Sequence, residues 1–140
     1  MSLPFGAHIP FVEHLGFTLE KFEGGESELH YAPAPEHLNS FAVTHGGAIM
    51  AMLDVVMAAA ARSVDAGMGV VTIEMKTSFM RAAKVAAGDK LVGKGLLQHR
   101  TRSMAFTEGR IYDSQGQLCA MATGTFKYVE RRASAAPATD

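Results

Sequence analysis

Apolar positions along this chain follow two regimes. Between 45 and 64 they run almost unbroken: after His45-Gly46-Gly47 come Ala48-Ile49-Met50-Ala51-Met52-Leu53, then Asp54, then Val55-Val56-Met57-Ala58-Ala59-Ala60-Ala61. A surface helix would carry a polar stripe. This one is apolar all round except at Asp54, so the pattern predicts a helix that must be covered on nearly every side. Gly67 or Gly69 is placed to end it. From Val70 onward the period changes to two, which predicts strands over 70–81, 89–100, 103–112 and 117–128. Turns at 86–88, 101–102 and 113–116 join the last three into an antiparallel meander. Upstream, 9–15 reads as one or two helical turns, and 16–22 and 26–32 as a hairpin about Gly24-Gly25. Pro33 and Pro35 stop its second strand, and 36–44 reads as a short turn and a loop.

Strands and helix in separate blocks make an α+β class. One flat sheet cannot bury a helix that is apolar on all faces. The simplest solution is a curved antiparallel sheet wrapped around one long central helix, with a second subunit over the remainder. At 140 residues the chain makes one domain over 1–130, with 131–140 expected as a frayed tail. Hydrophobic residues at 48%, charged residues at 19% and a net charge of −1 fit a globular protein. They argue against a nucleic-acid partner, which needs a basic face. One cysteine, Cys119, excludes an internal disulfide framework and a cysteine-ligated zinc site. The first basic residue is Lys21, so no secretory signal is expected, and the longest apolar stretch falls short of the ~20 residues of a membrane span. A cytoplasmic protein with no membrane partner is expected.

Asp54 is the most informative residue. A carboxylate inside an apolar helix loses water, so it is paired, protonated or functional. Arg81 or Lys76 from a facing strand would be the partner in an ion pair. His45-Gly46-Gly47 opens the helix, where the first N–H groups lack intrahelical partners and the helix dipole adds positive potential. Gly46, lacking Cβ, lets a substrate reach the backbone, as an oxyanion hole requires; the plain alternative is a tight turn with His45 beside the cap. Gly46 and Asp54 lie eight residues apart, about 12 Å along a helix. A base and an oxyanion donor must both sit ~3 Å from the reacting groups. Two helices across a two-fold axis can do this and one cannot, so the spacing calls for a homodimer with two equivalent sites.

Asn39, His45-Gly46-Gly47, Asp54, Gly69-Val70-Val71-Thr72-Ile73-Glu74-Met75 and Ser78-Phe79-Met80-Arg81-Ala82 together resemble the hotdog-fold acyl-CoA thioesterases, above all their phenylacetic-acid-degradation branch. The resemblance runs from about Phe11 to Tyr128. It implies a sheet wrapped around a helix, dimers with a continuous sheet, and commonly homotetramers. It implies hydrolysis of an acyl- or aryl-CoA thioester without metal or other cofactor. By position, the oxyanion amide falls on Gly46 and the catalytic carboxylate, as base or nucleophile, on Asp54. Asn39 holds the water or the thioester, His45 orders the loop, and Thr72 bonds near the attacking water. Asp rather than Glu on the helix favours the phenylacetic-acid branch.

Gly47 belongs to the same motif, and Met50 and Phe79 are expected to set pocket size. Arg81 and Lys84, with Lys90 and 99–102, either meet the CoA phosphates or are solvated surface. Most of the other methionines read as core, Cys119 as packing, and His8, His14, His30 and His37 lack metal-ligand spacing. Two competing functions stay open: a hotdog enoyl-thioester hydratase or dehydratase, and a non-catalytic acyl-CoA-binding protein. The latter would normally carry a DNA-binding segment, for which neither terminus is long enough.

Overall fold

A computed structural model describes residues 2–131. Its elements are α1 (Pro10–Leu15), β1 (Thr18–Glu23), β2 (Glu26–Tyr31), a 3₁₀ turn (Pro35–His37), α2 (Gly46–Arg62), β3 (Met68–Phe79), β4 (Leu91–Arg100), β5 (Met104–Tyr112) and β6 (Leu118–Glu130). The expected hairpin, long helix and meander are all present, within two or three residues of the expected bounds. The six strands form one antiparallel sheet in the order β1-β2-β4-β5-β6-β3. The sheet curves around α2, which touches every strand. This is the hotdog α+β arrangement.

The helix lies close against the sheet because the facing strand positions are small. Gly95 is the tightest: a Cβ there would run into the Val56 carbonyl and the Ser27 hydroxyl. That hydroxyl donates to Val56 O at 2.5 Å, tying β2 to the middle of α2. Ile49, Met52, Leu53, Val56, Met57 and 59–61 are buried against the sheet. They pack with Leu29, Tyr31, Leu91, Ile111 and Phe126.

Within the single chain the sheet covers α2 only in part. Gly47 and Met50 are exposed, and Ala51, Asp54, Val55 and Ala58 are half-buried. These positions recur at helical spacing and form one strip that the sheet leaves open. Asp54 therefore sits on an open strip rather than in a dry interior. The edge position of β3 is the cause. It pairs only with β6, and Val71, Ile73 and Phe79 stay about half exposed at 46%, 52% and 53%.

Two boundaries also differ. The helix ends at Ser63, whose N–H reaches Ala59 O and Ala60 O and whose hydroxyl donates to Ala60 O. Neither Gly67 nor Gly69 takes the left-handed conformation of a glycine cap. Arg131, expected in the tail, donates to Gly6 O at 2.6 Å and Ala66 O at 3.3 Å, and the rest of that tail, 132–140, lies outside the described residues. No helix among the described residues is long and apolar enough to cross a membrane.

Candidate active site

The loop entering α2 is organised by its own polar groups. An isolated bridge pairs Leu38 with Thr44, and the Asn39 N–H donates to Val43 O at 2.8 Å. Asn39 Oδ1 accepts from the N–H groups of Phe41 (2.8 Å) and Val43 (3.2 Å). Two backbone donors fix this oxygen, so only the Asn39 amide nitrogen remains for a ligand. Ala42 sits at φ +60°, a left-handed conformation unusual for alanine and maintained here by the closed loop. The Thr44 hydroxyl donates to Ala83 O at 2.7 Å and fastens the loop to the β3–β4 connection.

His45 is the N-cap of α2. Its Nδ1 accepts from the Gly47 N–H at 2.8 Å, and its carbonyl accepts from the N–H groups of Ala48 and Ile49. The Gly47 amide is therefore committed to the cap. Among the described residues nothing accepts from the Gly46 N–H. It is the donor left over at the positive end of a 17-residue helix.

Gly46 borders a cavity of about 380 Å³, which is also lined by Asn39, Ile49, Phe79, Arg81 and Ala120. The Phe79 ring lies beside Gly46, 3.6 Å from where a Cβ would stand. Among the described residues, Arg81 is the one charged residue of this lining. Lys84 lines an adjoining cavity of about 530 Å³ with Phe41 and Val85. Cys119 is buried beside the first cavity, and that burial pushes its thiol above the usual range.

Asp54 and Thr72 line neither cavity. The Thr72 hydroxyl donates to Asp54 Oδ1 at 2.6 Å. A β-bulge just beyond Thr72 brings Thr72 and Met75, three positions apart, to the same concave face of β3. No Lys, Arg or His lies within ion-pair distance of Asp54 among the described residues, and Arg81 and Lys76 both stay away. One chain thus makes two half-sites: Gly46 with Asn39, Phe79 and Arg81, and Asp54 with Thr72.

Three further groups of residues lie around these half-sites. Among the methionines, Met52 and Met57 are core, whereas Met50 (39% exposed) lies on the open strip and Met80 (50%) borders the cavity. The basic residues do not gather in one chain. Arg100 stacks on Tyr128 at 4.2 Å and faces Asp65 at 3.7 Å, near the C-terminal end of α2, whereas Arg81 and Lys84 flank its N-terminal end. His37, without metal-ligand spacing, turns out to be a buried anchor. Its Nδ1 faces the Tyr31 hydroxyl at 2.8 Å, and its carbonyl accepts from the His45 N–H at 2.8 Å. Nothing along the sequence marks this pair, because the fold alone brings the end of β2 against the 3₁₀ turn.

Several solved structures share this architecture. Conserved protein PA5202 from Pseudomonas aeruginosa is 25% identical, with a TM-score of 0.80 over 89% of this chain and 97% of that one. The PaaI protein from the E. coli phenylacetic acid degradation operon is 20% identical, with a TM-score of 0.79 over 87% of this chain and 86% of that one. The smu.793 protein of Streptococcus mutans, solved with acetyl CoA bound, is 24% identical, with a TM-score of 0.74 over 84% and 91%. No curated protein matches the chain. A family profile does, that of the Thioesterase superfamily, over residues 41–120. That match begins in the loop before His45-Gly46-Gly47, runs through α2 and β3 and ends in β6, more than half of the chain, so the protein belongs to the Thioesterase superfamily.

Proposed function

We propose that the protein is an acyl-CoA thioesterase that hydrolyses an acyl- or aryl-CoA thioester to the free acid and CoA. The carrying observation is that Asp54 meets the Thr72 hydroxyl and no cation among the described residues, so it is a carboxylate free to act. Membership of the Thioesterase superfamily supports the reaction class. The thioester carbonyl points at the Gly46 N–H, and the helix dipole stabilises the charge that develops on its oxygen. Asp54 of the partner subunit then takes a proton from water, which attacks the carbonyl carbon; alternatively it attacks that carbon itself, and the mixed anhydride left after CoA departs is hydrolysed by water to the free acid and the regenerated carboxylate. Thr72, bonded to Oδ1, orients the carboxylate and leaves Oδ2 for the water. The tetrahedral intermediate collapses by breaking the C–S bond, and the CoA thiolate takes up a proton. The Asn39 amide nitrogen and His45 Nε2 remain available to the water or the thioester, and Gly47 keeps His45 in place.

The two half-sites support the dimer: about 12 Å of helix separates Gly46 from Asp54, and both adjoin surface that a second copy would complete. Met50 and Phe79 would then bound the acyl pocket, with Arg81 and Lys84 near the CoA phosphates. Assembly of dimers into a homotetramer and a cytoplasmic setting complete the proposal. Release of free thiol from a panel of aryl-, short-chain and long-chain acyl-CoAs tests the function. Turnover of at least one class is expected. Hydration of enoyl-CoA without thiol release, or binding of acyl-CoA without turnover, would overturn it.

A further inference from the structure

A hydrogen-bonded chain runs from the core to the N-cap that precedes Gly46. Tyr31, at the end of β2, is fully buried, with its ring edge-on to Phe17 at 4.8 Å. Burial pushes its phenol up to about 12, so the hydroxyl keeps its proton. His37 is 8% exposed, and its Nδ1 lies 2.8 Å from the Tyr31 hydroxyl and 3.0 Å from the Ala34 N–H. A backbone N–H can only donate. Nδ1 must therefore accept and carries no proton, and Tyr31 is the second donor. Both contacts converge on this one ring nitrogen.

The same residue forms the first stem of the loop. His37 O accepts from the His45 N–H at 2.8 Å, and the next pair, Leu38 with Thr44, closes the loop. The second stem is His45, the N-cap that sets where Gly46 points. A continuous connection thus runs from the His37 ring, through the residue's own backbone carbonyl, to His45 and the start of α2.

We infer that Tyr31 and His37 are positioning residues for the thioesterase reaction, holding the Gly46 N–H at the place where the oxyanion forms. The inference rests on the proposed function for its kinetic consequence but not for its structural one. An oxyanion donor acts mainly in the transition state, so its misplacement lowers kcat more than it raises KM.

The test uses Tyr31→Phe, His37→Leu and His37→Asn. Asparagine places its carbonyl oxygen at the same number of bonds from Cα as Nδ1, so it keeps an acceptor for both donors. Tyr31→Phe and His37→Leu should each lower kcat about tenfold with KM nearly constant. His37→Asn should stay within about threefold of wild type. The Gly46 amide cross-peak in a ¹H–¹⁵N spectrum should move in the first two variants and return in the third. An unchanged kcat and cross-peak in Tyr31→Phe, or a loss in His37→Asn as large as in His37→Leu, would overturn the inference. If Tyr31→Phe does not fold, the two His37 variants decide. If the wild type hydrolyses no thioester, the proposed function fails, and the Gly46 cross-peak still tests the positioning.

Discussion

Asp54→Asn is expected to lower acyl-CoA turnover by about 10²-fold or more and leave the fold intact. Asparagine is the same size, and its carbonyl oxygen can still accept from the Thr72 hydroxyl, the one polar side-chain contact of Asp54 among the described residues. Stability should therefore change little, because the half-buried strip loses a charge that no cation balances. Neither proton abstraction nor nucleophilic attack is available to an amide. Thiol-release kinetics with thermal unfolding of the same preparation checks both parts. Unfolding of the variant would mean that the carboxylate is structural. Turnover at the wild-type rate would remove Asp54 from the mechanism.

Gly46→Ala should reduce kcat by about 10²-fold while KM changes far less. The added methyl group meets only the Phe79 ring, at 3.6 Å, an ordinary packing distance, so the helix start should survive. The methyl group would nevertheless stand at the cavity border, where the thioester must approach the amide. Oxyanion contacts strengthen as the tetrahedral intermediate forms, which is why the loss should fall on kcat. Steady-state kinetics over a range of acyl-CoA concentrations makes the distinction. A rise in KM at constant kcat would assign Gly46 to substrate packing instead.

How much of this was legible in the sequence depends on whether a feature is local. The unbroken apolar run around Asp54 marks α2, and the period-two segments mark β3 to β6, because both signals lie within one element. The His45-Gly46-Gly47 start is equally local, although His45 is the cap itself rather than a residue beside it. Features set by distant pairing were not legible. Sheet order places β3 at the edge beside β6, which leaves Val71 and Ile73 open and Asp54 on an uncovered strip. The Asn39 carbonyl is consumed by Phe41 and Val43, two and four residues on, a contact that is local in sequence but follows from the loop's conformation and not from its composition. Arg81 and Arg100 are 19 positions apart, and β4 carries them to opposite ends of the helix. Ser63 replaces a glycine cap because its hydroxyl both closes on Ala60 O and accepts from the Gly25 N–H of the β1–β2 turn.

The central claim is that each active site joins Gly46 of one subunit to Asp54 of another. Mixing Gly46→Ala chains with Asp54→Asn chains under conditions that allow subunit exchange tests it directly. Random exchange makes half of the dimers mixed, and in each of these one site combines a wild-type Gly46 with a wild-type Asp54. Thiol-release activity should therefore recover to roughly a quarter of the wild-type value, by the symmetry of a two-fold interface. Exchange verified by mass with no recovery would contradict the shared site and place both groups at work within a single chain.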